Sequence, residues 1–225
     1  PIYLAMDLMA GALISLAAQA RHAPGQFVIL DGSPADSPPS QLLQAVTSVL
    51  GRACRQVALR EVPEVIAELA REVERRVQDG GAKAPGLYVL LYAMQRYGVL
   101  RRSEDAFGLS LNEPAQVTPS AGFAELLRTG PGVGVHVLAW ADTLATVERT
   151  IDRQTLREFD YRVLFQMSAA DSSNLMDSPA ANQLGFHRAI LYSQEQGALE
   201  RFRPYAVIRE QWLAEVATRL AARNG

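Results

Sequence analysis

The sequence predicts an α/β protein with a mainly parallel sheet flanked by helices and an antiparallel strand pair near its C-terminus. Three observations carry this. Leu87 to Ala93, Leu-Tyr-Val-Leu-Leu-Tyr-Ala, is a continuous apolar run set off by the breaker Ala84-Pro85-Gly86. That is the pattern of a central parallel strand buried on both faces. Residues 1 to 40 run helix, short apolar strand, polar loop, the rhythm of a sheet whose sites lie at the strands' carboxyl ends. Arg188 to Ser193 and Ala198 to Tyr205 flank the turn Gln194 to Gly197 and read as an antiparallel pair.

Taken in order, Pro1 to Gln19 consists of helix formers, with a proline where a first turn tolerates one. Phe27 to Asp31 is a short apolar strand ending in an acid, and the loop Gly32 to Ser40 is rich in Pro, Ser and Asp. Gln41 to Gly51 reads as a helix and Gln56 to Glu61 as a strand. Pro63 to Gln78 has an apolar face, Val65, Ile66, Leu69, Val73 and Val77, opposite Glu68, Arg71, Glu72, Arg75 and Arg76. Gly80 and Gly81 end it.

After the central strand come a polar hairpin or loop, Arg101 to Pro119, and a short helix, Ser120 to Thr129, closed by Gly130-Pro131-Gly132. Gly134 to Ala141 is a second buried strand, Thr143 to Phe159 a helix, and Tyr161 to Ser168 a further strand. Ser172 to Met176 reads as a helical turn and Arg209 to Arg223 as a closing helix. No internal repeat or long linker interrupts the pattern, so residues 1 to 225 read as one domain.

At 225 residues and 48% hydrophobic, the chain is long enough for a substantial core, and its net charge of -2 argues against a wholesale basic surface for nucleic acid. A local arginine patch remains compatible with that balance. Cys54 is the single cysteine, which excludes an internal disulfide and a cysteine-based zinc site. Lys83 is the single lysine, so chemistry needing one has one candidate. Residues 1 to 20 lack the basic n-region of a signal peptide, and Asp7, Ser15 and Gln19 interrupt the apolar run, so a buried amphipathic helix is expected rather than a span. The start inside a helix reads as a fragment of a longer protein, with a cytoplasmic location expected and a parent chain that could be membrane-tethered.

The motifs exclude more than they assign. A phosphate-cradling Gly-x-x-x-x-Gly-Lys-Ser/Thr is absent; Gly80-Gly81-Ala82-Lys83 precedes a strand and reads as a turn. Gly130, Gly132 and Gly134 end a helix and enter a strand, the reverse of a dinucleotide loop. His22, His136 and His187 show no metal-ligand spacing, and the Gly-x-Ser-x-Gly elbow of serine hydrolases does not occur. Asp31, Asp36, Asp142 and Asp171 fall at or after strand ends, where an aspartate can reach a ligand but more commonly forms a turn or cap. The arginines of Thr143 to Phe159 could serve a neighbouring active site or DNA, though an exposed, charge-paired face is the plainer reading.

Three stretches resemble the FtsK/SpoIIIE DNA-translocase family of RecA-like motor ATPases. Gly134-Val135-His136-Val137-Leu138-Ala139-Trp140 is similar to the family's Gly-Ile-His strand. Tyr161 to Asp177 is similar to its strand followed by Ser-x-x-Asp-Ser-x-x-x-Leu-Asp. Gln183-Leu184-Gly185 leading to Arg188-Ala189-Ile190-Leu191-Tyr192 resembles its Leu-Gly-x-Gly-x-Met-Leu, and Glu68 to Arg76 its Glu-Met-Glu-Arg-Arg helix. The resemblance implies a RecA-like P-loop NTPase fold, with the phosphate loop lying just before Pro1.

It also places the magnesium-holding acids of the central strand at Tyr92 and Ala93, and the family's Thr-Gln-Arg on Ala141, Asp142 and Thr143. A carboxylate is needed there because Mg²⁺ prefers hard oxygen ligands. With both signatures gone, no catalytic residue is assigned, magnesium is not expected, and ATP is compatible with the family but held by no motif within the chain. The nucleotide-facing candidates are Asp31, Tyr92 and Asp142. The leading expectation is a degenerate, non-hydrolysing module, structural or regulatory, working with neighbouring ATPase domains or subunits of a DNA-translocating or secretion motor. The rivals are an active DNA translocase completed by neighbouring subunits and a module that docks a secreted peptide.

Overall fold

The computed structural model describes residues 2–19, 26–81, 84–102, 118–205 and 208–224. These group into two compact units, each assembled from separated stretches. One comprises residues 22–35 and 51–155; the other comprises 1–21, 36–50 and 156–225.

The first unit contains a four-stranded, wholly parallel sheet. Its strands are β1 (Phe27–Asp31), β2 (Cys54–Val57), β3 (Leu87–Tyr92) and β4 (Val135–Ala139), in the order β2-β1-β3-β4. Phe27 pairs with Tyr88 and Asp31 with Tyr92, while Leu87 pairs with Val135 and Leu91 with Ala139. The Leu87–Ala93 run is therefore an inner strand, and Val89, Leu90, Leu91 and Tyr92 are buried along it.

Helices α3 (Val62–Gln78) and α4 (Pro119–Thr129) pack on each other, and α4 packs on β4. Thr118 caps α4, its Oγ1 accepting from the Ala121 N–H at 3.2 Å. Gly130, Pro131–Val133 and Gly134 at φ 76° make the turn into β4 that the glycines predict. The expected strand Gln56–Glu61 lies earlier, at Cys54–Val57, and Leu59–Glu61 forms a helical turn leading into α3. The expected polar hairpin Arg101–Pro119 lies largely outside the described residues.

One face assignment on α3 is reversed at its C-terminal end. Val77 is 50% exposed, whereas Arg76 is 6% exposed. Arg76 tolerates burial because its guanidinium finds acceptors on two sides: Nη1 donates to the carbonyls of Val133 at 3.1 Å and Gly134 at 3.3 Å, and Nε donates to Glu72 at 2.8 Å. The Glu72 carboxyl is held down to about 2, first by its hydrogen bonds from Arg75 and then by Arg76.

The single helix expected over Thr143–Phe159 is two helices, α5 (Leu144–Thr150) and α6 (Arg153–Leu156). The break is a local competition. Ile151 is extended, and Asp152 Oδ1 accepts the Thr155 N–H at 2.7 Å, so an aspartate cap starts a second helix where periodicity alone would continue the first.

In the second unit, α1 (Ile2–Ala17) packs on α2 (Pro38–Leu50), and α2 on α8 (Glu210–Asn224). Arg223 Nη2 donates to the Ala17 carbonyl at 2.7 Å and so caps the end of α1. No helix among the described residues is long and apolar enough to cross a membrane. Asp7 is the exception on the apolar α1: it is buried, and its Oδ1 accepts the Ile208 N–H at 3.4 Å.

Burial raises the Asp7 pKa above 3.8, outweighing the hydrogen bond from Ile208. Its contribution to stability is thus full below the unfolded value and lost as pH rises through the higher folded value. Asp7→Asn is expected to stabilise the chain by about 1 kcal/mol at pH 7. In urea unfolding at several pH values, the gain should shrink toward zero at acid pH.

The same unit holds an antiparallel sheet of β5 (Tyr161–Leu164), β6 (Ala189–Ser193) and β7 (Ala198–Phe202), with β6 in the middle. The strand expected at Tyr161–Ser168 is accordingly shorter and joins the hairpin, giving three antiparallel strands rather than a pair. It stops at Leu164 because Ser168 caps α7 (Ala169–Met176), accepting the Asp171 N–H at 3.0 Å.

The motif around Asp171 proves to be a folding device. Ser172 is fully buried; its Oγ donates to the Ser178 carbonyl and accepts the Ala181 N–H, tying α7 to the turn at Pro179–Gln183. Asp177 takes the left-handed conformation at the helix end. Arg162 on β5 donates to the Leu175 and Leu156 carbonyls at 2.7 and 2.9 Å, closing the ends of α7 and α6 while lying over the Tyr192 ring.

Candidate functional site at the carboxyl ends of the parallel strands

Parallel strands deliver their last residues to one edge of the sheet, and the three sequence candidates arrive there together. Asp31 ends β1, Tyr92 ends β3 and is its register partner, and Asp142 follows β4 by three residues. The chain reverses tightly at this edge. Gly32 N–H donates to the Tyr92 carbonyl at 3.0 Å, and a Cβ on Gly32 would lie 2.8 Å from that oxygen and 2.9 Å from the Ala93 carbonyl. Only glycine permits this approach. Ala93 turns left-handed at φ 61°, and Met94 N–H donates to the Trp140 carbonyl at 3.0 Å, fastening the end of β3 to the end of β4.

Each candidate side chain is already engaged by its own surroundings. Asp31 Oδ1 accepts from the Ser33 N–H at 2.8 Å and from the Ser33 hydroxyl, an aspartate turn of the kind a strand end often forms. Asp142 Oδ1 accepts from Thr146 Oγ1 at 2.7 Å and Thr143 Oγ1 at 3.2 Å, so it braces the first turn of α5. Tyr92 is 2% exposed and stacks on Trp140, with ring centroids 4.9 Å apart and planes 15° from parallel. Among the other aspartates, Asp36 lies in the left-handed region at φ 59° and Asp171 sits in the first turn of α7. His22 and Lys83 lie outside the described residues.

Two contributors escape sequence reading. Trp140 is one, because its partnership with Tyr92 exists only once β3 and β4 are in register. Tyr97 is the other: it is 1% exposed, and its hydroxyl has no hydrogen-bond partner among the described residues. Burial, and then the negative charge of Asp31, push its phenol well above the ordinary value, so it stays protonated. An unpaired buried hydroxyl destabilises the fold. Tyr97→Phe is therefore expected to leave stability unchanged or raise it by about 1 kcal/mol, measured by thermal unfolding.

A second stack, on the same sheet face but toward the strands' amino ends, joins Phe27 to Tyr88 at 5.3 Å and Tyr88 to His136 at 5.6 Å. Burial, and then the charge of Arg76, lower the His136 pKa, so the ring is neutral near pH 7. An open groove of about 430 Å³ lies on the amino-terminal side of the sheet, lined by Arg55, Glu68, Glu72, Arg75 and Arg76 among others. Those five are paired with one another, and the groove reads as a charged seam.

The residues at the strand ends do not fit a magnesium ion held as in nucleotide-hydrolysing α/β proteins. β3 runs out into a buried aromatic ring and an alanine, Tyr92 and Ala93, neither of which offers the hard carboxylate oxygen that magnesium takes. Among the described residues, no group of three or more His, Cys, Asp or Glu side chains could hold a metal ion.

No family model matches the chain, and no curated protein does. Solved structures do. The DNA-packaging ATPase B204 from Sulfolobus turreted icosahedral virus superposes with a TM-score of 0.57 at 12% identity. The genome packaging NTPase B204 of Sulfolobus turreted icosahedral virus 2 superposes with 0.55 at 10% identity in complex with AMPPCP, and with 0.54 at 9% in complex with AMP. Each match covers 88% of this chain and 91% of the other. At such low identity the likeness concerns architecture, and it shows that the chain shares the mixed α/β fold of these packaging NTPases.

Proposed function

We propose that this chain is a non-hydrolysing module built on a motor-ATPase fold, working as a structural or regulatory partner of neighbouring ATPase domains or subunits. The observation that carries the reading is the end of β3. There the strand ends in Tyr92, buried and stacked on Trp140, at the position to which the FtsK/SpoIIIE resemblance assigns the acid that holds magnesium and polarises water. Losing that acid removes several kcal/mol of transition-state stabilisation. The resemblance to FtsK/SpoIIIE motors and the likeness to genome-packaging NTPases support the wider setting, a motor that moves nucleic acid.

The test is calorimetry with ATP, with and without Mg²⁺, on the natural polypeptide, together with phosphate release. Weak binding that ignores Mg²⁺, or no binding, agrees with the proposal. Tight Mg²⁺-dependent binding with turnover overturns it.

A second reading, direct contact with DNA, has its own observation. Arg96, Arg101, Arg102 and Arg149 are all exposed, and the Arg102 N–H donates to the Arg149 carbonyl at 2.9 Å, which joins their two segments. Replacing Arg101, Arg102 and Arg149 together with glutamine should abolish salt-sensitive binding of double-stranded DNA. Unchanged binding would discard this reading.

A further inference from the structure

The groove on the amino-terminal side of the parallel sheet lies between α3 and the starts of β1, β2 and β3. Arg55 on β2 and Val28 on β1 are register partners, so their side chains share one sheet face, and Glu68, Leu69, Glu72, Arg75 and Arg76 meet them from α3. The acids of this seam do not use up its guanidinium groups. Arg75 spends all three of its nitrogens, Nε and Nη2 on Glu72 and Nη1 on Asp79. Arg55 spends one: its Nη1 donates to both oxygens of Glu68, at 3.1 and 2.9 Å.

The Nε–Nη2 edge of Arg55 makes no hydrogen bond among the described residues. Arg76, with Nε and Nη1 committed, likewise keeps Nη2 unbonded, although the residue is only 6% exposed and lines the groove. A buried guanidinium with one nitrogen left over beside a cavity calls for an acceptor.

We propose that this groove binds a small carboxylate with an apolar body. The unspent groups are donors only, so the ligand must bring acceptors, and an anionic acceptor makes the stronger bond. Glu68 and Glu72 stand beside those donors and limit the ligand to one negative charge. A phosphate dianion would set its second charge against them, whereas a carboxylate is singly charged and its two oxygens match the parallel N–H groups of an Nε–Nη2 edge. Arg55 supplies that edge, and Arg76 Nη2 adds a further donor.

The floor sets the rest of the molecule. Val28 and Leu69 are buried and Leu87 is partly exposed, an apolar surface that a short hydrocarbon body would cover. The volume of about 430 Å³ suits a small organic molecule.

The test is a nuclear magnetic resonance titration of the natural polypeptide, isotope-labelled in its arginines, with isocaproate as the probe. The Nε–H signals of Arg55 and Arg76 should shift together along one saturating curve. Isocaproamide, the same body without the charge, and inorganic phosphate should each bind about tenfold more weakly or worse. Arg55→Gln should weaken isocaproate binding by about tenfold while leaving urea unfolding unchanged, because the Arg55–Glu68 pair is exposed. The comparison of three probes on the wild-type chain decides the matter even if the variant does not fold.

Shifts that grow without saturating overturn the proposal, as does equal binding of the amide or tighter binding of phosphate. An Arg55→Gln chain that holds isocaproate as tightly as wild type overturns it too, by placing the carboxylate elsewhere. The probes contain neither nucleotide nor Mg²⁺, so these outcomes are read independently of the proposed lack of hydrolysis.

Discussion

Replacing Tyr92 with aspartate should destabilise the chain by about 4 kcal/mol without creating magnesium-dependent ATP hydrolysis. Deleting a large buried aromatic alone costs about 3–5 kcal/mol, and Tyr92 also loses its stack on Trp140. The incoming carboxylate would be buried at a site whose register partner is Asp31. Two acids side by side in a desolvated pocket resist ionising together, so the new side chain would stay partly protonated. Urea unfolding gives the stability, and phosphate release with and without Mg²⁺ gives the activity. Substantial Mg²⁺-dependent turnover in the variant would show that the acid was the single missing part, and the non-hydrolysing reading would then rest on one residue instead of on the whole strand end.

The second large effect belongs to Arg76. Arg76→Met keeps the aliphatic stem but takes the guanidinium from the Val133 and Gly134 carbonyls, of which Gly134 keeps the Leu87 N–H at 2.8 Å, and a loss of about 3 kcal/mol is expected. Arg75 remains bonded to Glu72 at 2.8 Å, which keeps that acid from becoming an unpaired charge and places the loss at the lower end for a broken buried pair. Arg76→Lys should not rescue it, since an ammonium cannot reach Glu72 and two carbonyls in one plane. Equal stability of wild type and Arg76→Met would mean that water replaces the guanidinium and that the turn before β4 is held by its glycines alone.

Much of the architecture is legible in the sequence because burial on both faces leaves a local trace. Leu87–Tyr92 is apolar without alternation, as an inner parallel strand is written, whereas Val135–Ala139, expected to be buried as well, lies at the edge of the described sheet with only Val135 buried. The helix α3 and the turn from Gly130 to Gly134 follow from apolar spacing and glycine placement in the same local manner. The errors come where a short-range hydrogen bond outvotes periodicity. Asp152 capping Thr155 splits one expected helix into two, and Ser168 capping α7 ends β5 early.

The candidate site is half legible. That β3 lacks a terminal acid is a statement about Tyr92 and Ala93, and no structure is needed to make it. That Tyr92 is shut in by Trp140 and that Asp31 and Asp142 are bonded to neighbouring hydroxyls required the fold. These are pairings between segments, or between side chains whose directions are set by the strand ends. Arg76 shows the same division: its charge predicts exposure, and only the arrival of two carbonyls from beyond residue 130 makes its burial favourable. The sequence by itself determined where the parallel strands lie and which residues end β3, because residue type is local information. The tertiary structure alone decided which polar groups meet, because a hydrogen bond between distant segments exists only after strand order and register have brought them together.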